Sequence, residues 1–226
     1  MDSLISGYAR FRTRAFPELK HRFRELAAGQ SPTAAIVACC DSRVDPQMVF
    51  DSEPGELFTI RNVANLVPPY EPSAEYHGTS AALEFAVRKL EVPDLVVMGH
   101  AHCGGIRALI ENGTGKGSDF IGPWMAIAAP LRDQARSAGP DIPIEAVRRT
   151  AELESVRISI RNLLTFPWIR ERVEAGTLNV HGFFYDFAPG ALWCLDQESG
   201  CFVPVTIDER AAPPEGHGSC CAGGTP

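Results

Sequence analysis

Two short segments carry the side chains best suited to chemistry, Cys-Cys-Asp-Ser-Arg at 39–43 and Gly-His-Ala-His-Cys-Gly-Gly at 99–105. Together they supply thiols, imidazoles and a carboxylate close to a guanidinium. Three nitrogen and sulfur donors that converge on one point can hold a zinc ion and leave its fourth position open for a reactant. The residue types therefore predict a catalytic zinc centre built from both segments.

The spacing within each segment indicates which donors converge. His100 and Cys103 are three residues apart, so they share one face of a helical first turn. In an extended segment, Cys39 points to the same side as the acidic and basic residues that follow it, and Cys40 points to the other side. Buried thiols without a metal are the alternative interpretation. We predict three metal ligands: Cys39, His100 and Cys103.

Both segments follow runs that are typical of buried β-strands. Residues 34–39 and 95–98 are continuously apolar, as expected of strands covered on both faces. A short strand is predicted at 57–60, and helices are predicted at 79–90 and from 104 onwards. This alternation favours a parallel α/β sheet. Because ligands bind beyond the carboxyl ends of parallel strands where the strand order reverses, both segments stand where a site is expected.

The remaining pattern completes a single α/β domain with attached segments. Residues 1–29 carry apolar positions at helical spacing and predict an N-terminal helical arm. Further helices and alternating strands are predicted at 121–138, 144–164, 178–187, 191–195 and 202–207. We expect a mostly parallel β-sheet flanked by helices within residues 30–208, and a disordered tail rich in Gly, Pro and Ala at 209–226.

Composition excludes several classes of function. The chain has 226 residues, a net charge of −7 and a pI near 5.4, so it lacks the basic footprint of a nucleic-acid-binding protein. Its apolar runs are too short to cross a bilayer, and its first residues do not resemble a secretory signal. Seven cysteines are an odd number without disulfide-framework spacing. We expect a cytoplasmic protein without nucleic-acid or membrane partners.

The paired motifs Cys-x-Asp-Ser-Arg and His-x-x-Cys-Gly-Gly resemble those of the β-class carbonic anhydrases. Pro-Gly-Glu-Leu-Phe at 54–58, Arg-Asn-Val-Ala-Asn at 61–65 and Gly-Phe-Phe-Tyr-Asp at 182–186 resemble the plant-like branch in order and spacing. The resemblance covers roughly residues 5–207. It implies zinc-dependent reversible hydration of carbon dioxide to bicarbonate, with Zn²⁺ as cofactor. It also implies a homodimer or a higher homo-oligomer.

The resemblance assigns roles to the two motif segments. It makes Cys39, His100 and Cys103 the zinc ligands. It gives Asp41 a hydrogen bond from the reacting water, and gives Arg43 the pairing of Asp41. A carboxylate beside a guanidinium stays ionised, which agrees with that role. If Arg43 released Asp41, the carboxylate could become a fourth zinc ligand, and a plain ion pair that braces the loop is the alternative.

By position in the plant-like pattern, the substrate pocket is expected at Gln30, Phe58, Val63, Phe85 and Gly104. Gln30 would donate a hydrogen bond to a substrate oxygen. Gly104 and the glycine after it allow close backbone approach and leave an N–H for a developing anion. Phe85 is a departure, because the family commonly has Tyr there.

Two other functions are compatible with these residues. A hydrolase acting on carbonyl sulfide or carbon disulfide could use the same scaffold, and pocket shape would decide between the substrates. A non-catalytic zinc or redox-sensing protein would need a closed four-ligand site or would lack the acid–base pair. The presence of Asp41 and Arg43 argues against the second alternative.

Overall fold

The computed structural model describes residues 1–73, 75–113 and 118–207, and the predicted tail at 209–226 lies outside them. The strands within these residues are β1 (Ala34–Cys39), β2 (Leu57–Asn62), β3 (Asp94–His100), β4 (Asn179–Asp186), β5 (Ala191–Leu195) and β6 (Phe202–Pro204). They form one sheet in the order β2-β1-β3-β4-β5-β6. Neighbours from β2 to β4 are parallel, and β5 and β6 are antiparallel. The predicted mostly parallel α/β fold is confirmed.

Helices flank this sheet. They are α1 (Asp2–Arg10), α2 (Phe16–Leu26), α3 (Pro46–Val49), α4 (Gly78–Glu84), α5 (Gly104–Asn112), α6 (Ile121–Met125), α7 (Ala129–Ser137), α8 (Ile144–Leu163) and α9 (Pro167–Glu174). A five-residue π-helical turn joins α1 to α2, and another, Phe85–Lys89, extends α4. Among the residues described, no helix combines the length and apolarity needed to cross a membrane.

The core lies around β1 and β3, the two central strands that carry the candidate ligands. Both strands are buried along nearly their whole length, which explains their continuous apolar sequence. Helix α8 packs across β3 and β4. A Cβ on Gly99 would lie 2.5 Å from Cγ2 of Val156, so glycine at this position of β3 allows α8 to approach closely.

The structure differs from the sequence prediction mainly at short elements. Helices α3 and α9 were not predicted, although each has proline in its first turn, which is a common start signal. Strand β6 ends at Pro204, short of the predicted 207. This edge strand tolerates the proline, and the N–H of Val205 just beyond it still donates to the carbonyl of Leu192 at 2.8 Å.

The described residues of one chain leave the apolar face of the N-terminal arm uncovered. Neither α1 nor α2 contains a buried residue. The rings of Phe11, Phe16 and Phe23 pack on one another with centroids 5.9–6.4 Å apart. The arm touches the sheet domain where Arg22 Nε donates to the carbonyl of Pro54 at 3.1 Å. Large apolar side chains stay exposed along it: Met1, Leu4, Ile5, Tyr8 and Phe11.

Candidate metal centre

Three donor side chains meet in a buried cluster at the carboxyl edge of the sheet. The ligand atoms of Cys39, His100 and Cys103 all lie within 4.8 Å of one another. The three residues are only 5%, 1% and 1% exposed. A single ion could therefore contact all three donors in a site from which bulk water is largely excluded.

The strand order explains why these residues meet. Cys39 ends β1 and His100 ends β3, and these neighbouring strands mark the point where the chain order reverses in the sheet. Beyond His100 the chain turns sharply through His102, which has a left-handed φ of 56°. The turn brings Cys103 to the N-cap of α5.

The structure places Cys39, and not Cys40, beside the other two donors. Cys40 is exposed, and its backbone N–H donates to the carbonyl of Asn62 at 2.8 Å. Cys40 therefore lies outside the group of donor atoms that come within 4.8 Å of one another.

The donor set fits a zinc ion. Nδ1 of His100 donates to the carbonyl of Ala101 at 2.8 Å, which leaves Nε2 with its lone pair. This Nε2 is buried and has no hydrogen-bond partner among the residues that the structure describes. A buried imidazole nitrogen without a partner is costly unless it binds something. Two thiols and one imidazole form a borderline-soft set that suits zinc.

The pKa values of the two thiols are shifted in opposite directions. A hydrogen bond from Cys103 lowers the pKa of Cys39 against the effect of burial, and the backbone of Asp41 and Ala64 adds to this lowering. The same contact with Cys39, together with burial, raises the pKa of Cys103. The cluster thus stabilises a thiolate at Cys39, the form in which cysteine binds metals.

Asp41 is held by Arg43 beside this cluster. Nε and Nη2 of Arg43 donate to the two carboxylate oxygens at 2.9 and 2.7 Å, and Nη2 also donates to the carbonyl of His102 at 3.1 Å. The guanidinium lies 4.6 Å over the ring of Phe187. The hydrogen bonds from Arg43 hold the pKa of Asp41 well below its usual range. Asp41 is therefore an ionised acceptor that Arg43 keeps in place.

Arg61 on β2 ties down the loop that carries Cys39 and Asp41. Its guanidinium donates to the carbonyl oxygens of Cys39, Asp41 and Val44 at 3.0, 2.7 and 3.3 Å. It also pairs with the carboxylate of Asp45 at 3.0 Å. The loop is thereby fixed to the neighbouring strand at both ends.

A strained turn beside the cluster carries Val63. Ala64 and Asn65 follow it with left-handed φ values of 64° and 49°, which is unusual for residues other than glycine. The carbonyl of Val63 accepts from Nε1 of Trp124 at 2.8 Å. A Cβ on Gly105 would lie 3.0 Å from Cγ1 of Val63, so α5 begins in close contact with this turn.

Of the expected pocket residues, the structure brings Val63 to the cluster. Val63 packs with the apolar group that includes Cys39 and Cys103. Gly104 is the first residue of α5, but a Cβ there would meet nothing within 4 Å, so the close approach belongs to Gly105.

Three other expected pocket residues lie elsewhere in the chain. Phe58 pairs with Ala35 in the register of β1 and β2, about 13 Å along the strand from Cys39. Phe85 stacks on Phe58 with ring centroids 5.8 Å apart and is 46% exposed. Gln30 is exposed in the loop between α2 and β1. Within one chain these side chains do not line the metal cluster.

Sequence reasoning missed three supporting residues. Trp124 and Phe187 hold Val63 and Arg43, as described above. Glu152 on α8 is only 5% exposed, and its Oε1 accepts from the backbone N–H of Cys103 at 3.1 Å. Burial raises the pKa of Glu152. In the sequence, the signal for Glu152 is a polar residue on the face of α8 that also carries apolar core residues.

Comparison with known proteins agrees with this geometry. The family model for carbonic anhydrases matches residues 34–192. Beta carbonic anhydrase 6, mitochondrial, of Arabidopsis thaliana is 39% identical over 205 residues, covering 88% of this chain and 69% of that protein.

Two solved structures extend the similarity to the fold. The β-carbonic anhydrase CcaA superposes with a TM-score of 0.84 at 32% identity, covering 92% of this chain and 93% of that chain. A β-carbonic anhydrase from the ascomycete Sordaria macrospora, described as tetrameric, has a TM-score of 0.75 at 26% identity, covering 89% of this chain and 98% of that chain. With the motifs and the buried Cys-His-Cys cluster, these matches show that the chain belongs to the plant-like β-class carbonic anhydrases.

Proposed function

We propose that this carbonic anhydrase binds one zinc ion through Cys39, His100 and Cys103 and reversibly hydrates carbon dioxide to bicarbonate and a proton. The observation that carries the proposal is the buried three-donor cluster with an unpartnered His100 Nε2. Three protein ligands leave one coordination position open, as catalytic zinc sites require. A zinc ion there supplies a water acidified to a pKa of about 7, and hence a nucleophile at neutral pH.

Asp41 would orient this water. Its carboxylate is ionised and Arg43 donates to both of its oxygens, so toward the water it can only accept a hydrogen bond. The remaining lone pairs can take the water's hydrogen and point its oxygen at the substrate carbon. Because Arg43 fixes the carboxylate, little reorganisation accompanies the reaction.

Val63 would provide an apolar wall for the substrate. Carbon dioxide has no net dipole, so an apolar contact beside the reacting water suits it better than a polar one. Addition of water to the substrate carbon yields bicarbonate and one proton. Bicarbonate is charged, so the apolar contact with Val63 does not suit it as it suits carbon dioxide. This difference favours the exchange of bicarbonate for a new water.

We also propose that the working unit contains at least two copies of the chain. The described residues of one copy leave the apolar face of the arm at 1–26 uncovered, and exposed apolar patches mark interaction surfaces. Phe85 is exposed and stacks on Phe58, which lies about 13 Å along the strand from its own Cys39. A second copy would bury the arm and could bring such residues to a site, and the Sordaria relative described as tetrameric supports a homo-oligomer.

The cytoplasm stays our prediction for the location of this chain. Its described cysteines are all free thiols, as expected of a reducing compartment. A relative named mitochondrial shows that related chains can work in an organelle, so fractionation of the native protein would decide.

Stopped-flow hydration of carbon dioxide across pH, with metal analysis of the same sample, tests the proposed function. We expect about one zinc per chain and a rate that rises with pH through the titration of the activated water. Turnover of carbonyl sulfide and carbon disulfide is measured alongside. Faster turnover of either sulfur compound than of carbon dioxide would contradict the assigned substrate.

Deletion of residues 1–24 tests the role of the arm. We expect the truncated protein to shift toward monomer and to lose activity in parallel, because the removed segment carries most of the exposed apolar side chains of the arm. Sedimentation and hydration rates are compared with those of the full chain at equal zinc content. An active, monomeric truncation would overturn the proposed assembly.

Replacing Phe85 by tyrosine should change hydration by no more than about tenfold. The added hydroxyl offers one hydrogen bond, worth about 0.5–1.5 kcal/mol net, and the apolar ring is retained. A factor of ten in rate corresponds to about 1.4 kcal/mol. Zinc content should not change. If the tyrosine variant activated a nearly inactive enzyme, the assigned substrate would be wrong.

A further inference from the structure

Helix α8 buries polar side chains on the face that packs against the metal cluster. Glu152, Ser155 and Ser159 are 5%, 1% and 0% exposed, and their spacing places them along one side of the helix. Burying a carboxylate is costly unless it forms hydrogen bonds. These residues therefore need partners, and the partners lie in the segment that carries Cys103 and in the turn at 63–67 beside Cys39.

Glu152 holds the segment that carries Cys103. Its Oε1 accepts from the backbone N–H of Cys103 at 3.1 Å. Cys103 is the N-cap of α5, has an extended backbone and makes no side-chain cap of its own. The preceding residue, His102, has a left-handed φ of 56°. A strained turn keeps its shape only when surrounding contacts hold it, and Glu152 provides such a contact.

The two serines hold the turn beside Cys39. Ser155 Oγ accepts from Asn65 Nδ2 at 3.3 Å, and Ser159 Oγ donates to the carbonyl of Asn65 at 2.9 Å. The residue before Asn65 is Ala64, which packs in the same buried cluster as Cys39. Helix α8 thus contacts the supports of both thiols, on either side of the cluster.

We infer that Glu152 is a positioning residue for Cys103, fixing the backbone N–H of this zinc ligand so that its thiol stays at bonding distance from a metal held by Cys39. The inference rests on the proposed zinc site. Loss of an outer hydrogen-bond partner of a metal ligand commonly costs 10–100-fold in metal affinity or activity.

Substitutions at Glu152 separate positioning from general packing. Glu152→Gln keeps an oxygen acceptor of the same length. Glu152→Asp keeps the charge but withdraws the oxygens by one methylene group, and Glu152→Leu removes the acceptor. Leu163→Ala is the matched control, because Leu163 is fully buried on α8 but packs in the apolar cluster that does not contain Cys39 and Cys103.

The measurement is the rate at which each zinc-loaded full-length protein releases zinc to an excess of chelator, well below its unfolding temperature. We expect the Asp and Leu variants at Glu152 to release zinc at least about tenfold faster than wild type. We expect Glu152→Gln to release it at close to the wild-type rate. The Leu163→Ala control should unfold at a lower temperature without faster release.

Two results would overturn the inference. One is unchanged zinc release in the Asp variant at Glu152, and the other is release from Glu152→Gln as fast as from the Asp variant. The Asp and Gln variants carry the test even if the Leu variant does not fold. A wild-type protein that binds no zinc would instead overturn the proposed function itself, so the two failures are distinguishable.

Discussion

Replacement of Cys103 by alanine is expected to leave a folded protein that has lost nearly all of its zinc and its hydration activity. Cys103 is 1% exposed, and its sulfur lies within 4.8 Å of the other two donor atoms. With two donors left, the affinity for zinc should fall by more than the roughly 10–100-fold that loss of an outer-shell partner costs. Metal analysis after dialysis and the hydration rate are the measurements.

Cys40→Ala is the matched control for this prediction. Cys40 is a thiol in the same segment as Cys39, but it is exposed and is not one of the three clustered donors. We expect this variant to keep its zinc and its rate. Zinc loss from the Cys40 variant, with retention in a Cys39 variant, would mean that the wrong member of the pair has been assigned.

The central part of the fold could be predicted because its sequence signal is strong and local. Strands β1 and β3 are buried on both faces, so the residues between their ends are apolar or small, and the predicted strand at 34–39 matches β1. The ends of the other elements depend on tertiary contacts. Strand β2 continues past the predicted residue 60 because it pairs with Cys39 at the end of β1.

The candidate ligands could be predicted because each pattern has a simple geometric meaning. Alternation along a strand separates Cys39 from Cys40, and a three-residue spacing joins His100 to Cys103. The supports of these ligands could not be found in this way. Glu152 is 49 residues from Cys103 in sequence, and only the packing of α8 on β3 brings the two together.

The expected pocket shows a second limit. Phe58 and Phe85 were assigned by position in a family pattern, which carries no information about which copy of the chain they serve. The register of β1 and β2 places Phe58 away from the cluster of its own chain. A pattern along one chain cannot show whether a site is completed by another copy.

The second large effect is expected for Asp41→Asn, which should keep its zinc and lose roughly 10²–10³ of the hydration rate. Asparagine has nearly the same shape, but it replaces one acceptor oxygen by an NH₂ donor. That NH₂ group would face either the N–H donors of Arg43 or a hydrogen of the reacting water, so two donors would meet. Hydration rate per bound zinc, measured by stopped flow, is the readout.

The pH dependence of this loss follows from the environment of Asp41. Hydrogen bonds from Arg43 hold its pKa well below its usual range, so the carboxylate is fully ionised from about pH 6 upward. A lowered pKa also means that the Asp41–Arg43 pair stabilises the fold at neutral pH and is lost only in strong acid. The rate deficit of Asp41→Asn should therefore be constant across the neutral and alkaline range.

Arg43→Lys provides the partner test. Lysine keeps the positive charge, but it cannot donate to both oxygens of Asp41 and to the carbonyl of His102 in the planar arrangement that Arg43 uses over Phe187. We expect a loss of roughly tenfold or more, since a hydrogen bond to a charged group is worth about 1.5–3 kcal/mol. If Asp41→Asn and Arg43→Lys both turn over at the wild-type rate with full zinc, the pair only braces the loop, and another group must orient the water.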